Sequence, residues 1–155
     1  MALLIALSGI GAYIPVPSPV GSVALDSAPG FFAALSGGAI PGAIVLITGH
    51  LFSALRSGFH LGALHIIIAL LMGLCGVLLS FLVAKTKSIN LSSFLVAIVN
   101  GVGLPLVLLP LLGMGVFLGL LAPLLIAAFL NIFCARILYR VFDEEGREAY
   151  GYKEA

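Results

Sequence analysis

The chain has 155 residues, 62% of them hydrophobic and 8% charged, and a formal net charge of +1. Soluble domains carry about 25% charged residues, so this composition fits an integral membrane protein whose length suits one domain. With no basic face to neutralise phosphates, it excludes nucleic acid as a partner.

The first apolar run goes from about Ala2 to Ile14 and stops before Pro15. At ~1.5 Å per residue it reaches about 20 Å, less than a ~30 Å hydrocarbon core. Such a helix is either buried among others or begins upstream of Met1. Met1 to Leu7 lack the basic stretch of a cleavable signal peptide. Ala2, Ala6 and Gly9, spaced by four and three, place small residues on one helical face. That stripe serves internal packing or docks another membrane helix.

Tyr13 to Leu25 follow, with prolines at 15, 17 and 19. Alternating proline forbids a helix and predicts an extended strap. A second helix is expected after Asp26, capped by Asp26 or Ser27, with Pro29 in its first turn and Gly37-Gly38 at its end. The third runs from about Pro41 to Arg56, and Gly58 marks a short loop. The fourth covers about His60 to Ala84, and Lys85 to Asn90 form the clearest polar loop. The fifth spans roughly Ser92 to Leu112, kinked by Pro105 and Pro110. After a turn at Gly113 to Gly115, the sixth extends to about Phe142, and a charged tail from Asp143 closes the chain. The expected fold is therefore an all-α six-transmembrane-helix bundle over residues 1–142, with a short charged tail over 143–155. Lys85, Lys87, Arg136 and Arg140 fall at one end of the alternating helices and Arg56 at the other. By the positive-inside rule both termini are cytoplasmic, and the strap and the Arg56–His60 loop are extracytoplasmic.

Asp26 and Arg56 are the only full charges before residue 85. An ionisable group within a span costs several kcal/mol unless paired or facing a polar cavity. Asp26 either binds ligand hydroxyls and amines or caps the second helix. Arg56 either holds an anionic or carbonyl group bidentately or anchors at the interface. His50, His60 and His65 occupy the outer parts of helices three and four, as ligand hydrogen-bonding groups or helix–helix bonds. Their spacing gives no converging metal set, since His60 and His65, five apart, do not share a helix face. Asn100 lies mid-span beside a kink and must find a partner, ligand or helix. Asn131 reads better as an interhelical bond, deeper toward the cytoplasm. Tyr13 and Phe59 either stack on a heterocycle or sit in the aromatic belt. Cys75 and Cys134, alone in apolar runs, have neither metal nor redox spacing and read as small core residues.

Three segments carry a family resemblance: Ala2-Leu-Leu-Ile-Ala6, Gly11-Ala-Tyr-Ile-Pro-Val-Pro-Ser-Pro-Val-Gly21 and Leu25-Asp-Ser-Ala-Pro-Gly-Phe-Phe-Ala-Ala-Leu35. Gly49-His50 and Asn100-Gly101 add to them. Together they resemble the substrate-binding (S) components of energy-coupling factor transporters, which import vitamins into bacteria. The resemblance implies a six-helix bundle in the cytoplasmic membrane that binds substrate near its outer face under loops one and three. It implies no chemistry of its own and no cofactor. It implies two kinds of partner, a membrane coupling protein and a pair of ATPases. The family's Ala-x-x-x-Ala docking pattern falls on Ala2 and Ala6. Substrate contacts are expected from Asp26, His50, Arg56, His60, His65 and Asn100. The loop pattern is most similar to the branch with folate, hydroxymethylpyrimidine, pantothenate and α-ribazole carriers, with α-ribazole, a cobalamin precursor, as the leading ligand.

Two other classes are weighed against this. A membrane enzyme would want paired carboxylates or a His cluster, and the spans hold no Glu and one Asp at a loop boundary. A stand-alone transporter would want a charged relay or inverted repeats, and neither is found.

Overall fold

A computed structural model describes residues 1–19 and 21–149. The chain is all-helical apart from the strap and short loops, with no β-strand among the described residues. The helices are α1 (Ala2–Gly11), α2 (Ala28–Ser36), α3 (Ala39–Ser57), α4 (Leu64–Thr86), α5 (Ile89–Ile98) and α6 (Leu104–Ala149). A π-helical turn, Val99–Gly103, joins α5 to α6. Three helical segments are long and apolar enough to cross a membrane: Ala39–Ser57, Leu64–Thr86 and Ile89–Phe142. Helix is the expected solution for such sequences, because lipid offers backbone N–H and C=O groups no partner.

The longest segment folds back on itself. Gly113 has φ 78° and ψ 163°, a conformation open mainly to glycine, and it breaks α6. Gly101 packs against Leu125, Phe94 against Phe129, and Arg136 donates to Asn90 across the same pair of arms. Each pair is almost equidistant from Gly113, so the two arms form an antiparallel hairpin. The expected kink at Pro105 takes the form of the π turn just before it. Proline supplies no N–H to the carbonyl four residues back, and the wider turn accommodates its ring.

Other boundaries shift in explicable ways. Helix α4 starts at Leu64, not His60, because Gly58 and Phe59 adopt left-handed backbone and Gly62 follows with φ 55°. Helix α5 starts at Ile89, where Ser88 caps the Leu91 N–H at 3.2 Å. Helix α6 continues through Ala149, past the expected end near Phe142 and into the expected charged tail. Residues 150–155 of that expected tail lie outside the described residues.

A core of Phe31, Leu46, Met72, Cys75, Leu79, Val96 and Ile132 joins α2, α3, α4 and the hairpin. A second, smaller cluster of Val23, Leu120 and Ala127 lies beneath the strap, with Val16 against it. Many other large apolar side chains face outward, among them Leu70, Leu74, Phe81, Leu106 and Leu111. An apolar exterior of this extent suits lipid as the surrounding solvent.

Candidate ligand-binding chamber

The strap is folded against the bundle. Val16 N–H donates to the Val23 carbonyl at 2.9 Å and Leu25 N–H to the Ile14 carbonyl at 3.1 Å, closing a hairpin around the Pro15–Ala24 bridge. Its outer limb, with Pro15 and Pro17, is exposed, whereas Ser22, Val23, Ala24, Asp26 and Ser27 are buried. The strap turns inward over Gly11, where any Cβ would overlap the Leu25 carbonyl.

Helix α2 receives its N-terminal cap from another helix. Ser27 occupies the capping position but makes no side-chain cap bond. The Asn131 Oδ1 accepts from the Ser27 N–H at 3.0 Å and the Ala28 N–H at 2.7 Å. Its Nδ2 donates to the Ala24 carbonyl at 3.0 Å and the Ala127 carbonyl at 2.9 Å. One amide on α6 thereby satisfies two orphan donors of α2 and ties down the strap. The expected interhelical role of Asn131 is seen, but beside Asp26 and not at a deeper level.

Asp26 is not a cap either. Its Oδ1 accepts from the Ser27 hydroxyl at 2.7 Å and its Oδ2 from the Ser53 hydroxyl on α3 at 2.6 Å. Burial pushes its carboxyl above the ordinary carboxylate range, against the pull of the two hydroxyl bonds.

Beneath the strap is a chamber of about 80 Å³, walled by the strap, α3, α4 and both arms of the hairpin. Its surface is mainly apolar: Ile68, Met72, Leu104, Leu108, Leu120 and Leu124. The polar side chains reaching it are Ser22, Asp26, Ser27, His50, Asn100 and Asn131. Asn131 is fully used in holding α2. Asn100, on the π turn, takes part in none of the side-chain hydrogen bonds found among the described residues. A buried amide of this kind, facing a hollow, is a ready ligand contact. No cation faces the chamber among the described residues.

The six expected substrate contacts therefore divide. Asp26, His50 and Asn100 meet at the chamber. His65 is fully buried behind His50, with His50 Nε2 3.2 Å from His65 Nδ1. His60 is exposed, because the chain turns at Gly58–Gly62 before α4 begins and carries it away from the bundle interior. Arg56 is exposed too, and its Nη2 donates to the Gly21 carbonyl at 3.0 Å, fastening the strap from outside. Tyr13 is exposed, and Phe59 stands edge-on to His65. Ala2 and Ala6 are exposed on α1, and Ala6 borders an open groove with Gly9 and Phe52. Sequence reasoning gave Ser27 only a capping role and passed over Ser53. Ser53 falls one turn after His50 on α3, and that polar pair on one apolar helix face was the available signal. Among the described residues no group of three metal-ligating side chains converges.

No family model, curated protein or solved structure matches this chain.

Proposed function

We propose that this protein is the substrate-capture subunit of an energy-coupling factor importer for a vitamin or vitamin precursor. It spans the bacterial cytoplasmic membrane as six helical segments with both termini in the cytoplasm, and takes its ligand at the strap end. It does no chemistry; a membrane coupling protein and an ATPase pair drive it. The observation carrying this reading is the chamber: mainly apolar, roofed by a tied-down strap, with Asn100, His50 and Asp26 converging on it. Apolar walls with a few placed polar groups are the usual build of a small-molecule site. The exposed Ala2 and Ala6 on α1 leave a docking face free for the coupling protein.

The lining also bears on the ligand. With Asp26 as its one formally charged side chain and no cation, the chamber disfavours the carboxylates of folate and pantothenate. The neutral heterocycles, α-ribazole and hydroxymethylpyrimidine, fit its chemistry better. An amide such as that of Asn100 can pair with a ring nitrogen and the amino group beside it, as Asn does with adenine. The volume of about 80 Å³ is well below the roughly 300–1,000 Å³ of typical ligand pockets. It favours the smaller hydroxymethylpyrimidine, whereas α-ribazole requires the strap to lift.

Native mass spectrometry of the purified protein, followed by calorimetry with the four ligands, tests the capture reading. A bound neutral heterocycle supports it; binding of none of the four, with no small molecule co-purified, refutes it. Ala6→Trp is expected to leave binding intact and abolish assembly with the coupling protein in a detergent pull-down. Undiminished assembly would remove α1 from the docking face.

A further inference from the structure

His65 is fully buried, and its two ring nitrogens have different surroundings. Nδ1 lies 3.2 Å from His50 Nε2, while Nε2 is buried with no hydrogen-bond partner. A neutral imidazole carries one proton, on one nitrogen or the other. An imidazolium here would bury an unsatisfied charged donor, so both rings are neutral. Two arrangements then remain. If His65 Nδ1 donates to His50 Nε2, the orphan Nε2 of His65 is a bare acceptor. If His50 Nε2 donates instead, the orphan Nε2 of His65 is a buried N–H. Among backbone groups an orphaned buried N–H is the rarer defect and an under-satisfied acceptor is better tolerated, and we carry that order over to the two ring nitrogens. The Phe59 ring lies edge-on to His65 at 84°, with centroids 5.6 Å apart. An N–H directed at it would gain only a weak aromatic contact.

We infer that His65 is a positioning residue that locks His50 as a hydrogen-bond donor toward the chamber, which therefore selects a neutral ligand carrying an acceptor such as a ring nitrogen or carbonyl. With His50 Nε2 accepting from His65, the one proton of His50 must sit on Nδ1, the polar atom it has left to offer. His50 itself is buried in the chamber wall. The lining then has a donor at His50, an acceptor at Asp26, and both kinds of group at Asn100. A ligand bearing only donors would leave His50 Nδ1–H unpaired in an apolar hollow, at the cost of a lost buried hydrogen bond. The ligand-selecting half of this inference rests on the capture reading; the tautomer half does not.

Nitrogen-15 NMR of histidine-labelled protein in nanodiscs, without ligand, reads the tautomers directly. Both His50 and His65 are expected to be protonated at Nδ1, and His65→Phe is expected to release His50 toward the Nε2–H form. An Nε2-protonated His65 in the native chain overturns the inference, and that spectrum decides it even if His65→Phe does not fold. In calorimetry, hydroxymethylpyrimidine is expected to bind at least tenfold tighter than an analogue whose ring nitrogens are replaced by C–H. Equal affinity overturns the selectivity. Failure of hydroxymethylpyrimidine and of the other three ligands to bind, with no small molecule co-purified, refutes the capture reading instead, while the spectrum still settles the tautomer.

Discussion

The two sides of the chamber treat buried polar groups in opposite ways. On the strap side, Asp26, Ser27, Ser53 and Asn131 bond to one another and to backbone, and the Asn131 amide makes four bonds. On the side of the π turn, Asn100 makes none among the described residues, yet it is buried and faces the same hollow. A satisfied knot holds a fold together. An unsatisfied amide costs stability unless something else completes it. The contrast separates polar residues that bond to one another and build the chamber from one that lines it without a side-chain partner among the described residues, although both kinds are polar side chains in apolar stretches.

The largest effect is expected on the knot. Asn131→Leu leaves the Ser27 and Ala28 N–H groups buried without an acceptor, at about 1–3 kcal/mol for each such group. Denaturant unfolding in detergent should show a loss of roughly 3 kcal/mol; a loss under about 1 kcal/mol would mean that α2 does not depend on this cap.

On the other wall, Asn100→Leu is expected to leave the unfolding midpoint unchanged or raise it, since it removes an unpaired amide. Ligand affinity should fall at least tenfold, about 1.4 kcal/mol. Unchanged affinity by calorimetry would take Asn100 out of the site and dissolve the contrast.

Asp26 belongs to the knot and also lines the chamber, and its signature is pH. Burial raises its carboxyl in the folded chain, so the folded state holds this proton more tightly than the unfolded one. Its favourable contribution is then fully present below the ordinary carboxylate pKa and is lost as pH rises through the raised folded value. The stability of the native chain should decline with rising pH across that window, and Asp26→Asn should flatten the decline. An equal slope in both proteins would place the titration elsewhere.

The smallest effect is expected at Arg56, which is exposed and touches the strap at the Gly21 carbonyl. Arg56→Ala should change equilibrium affinity by less than tenfold while ligand dissociates faster from a looser strap. A loss beyond tenfold in stopped-flow and calorimetry would return Arg56 to direct contact with ligand.

Much of this was legible from residue type and spacing. The apolar runs give the all-helical character, because backbone in lipid must bond to itself. The prolines at 15, 17 and 19 give an extended strap, and Gly113 marks the turn between the last two arms. Asp26, His50 and Asn100 stand out because a polar group in such a run requires a reason. The sequence did not separate His60 from His65, nor Arg56 from Asp26. His60 and His65 share a chemistry and a neighbourhood along the chain, and Asp26 and Arg56 are each a lone charge among apolar residues, while burial depends on which way the chain faces once packed. Nor could spacing reveal that Asn131 caps a helix more than a hundred residues earlier, since that bond spans 103 positions. Composition thus determined the solvent, the helices and the short set of polar residues worth asking about. Only the tertiary structure decided which of them bond to each other and which line the chamber without a partner of their own, because hydrogen-bond partnership depends on three-dimensional proximity and a linear pattern does not contain it.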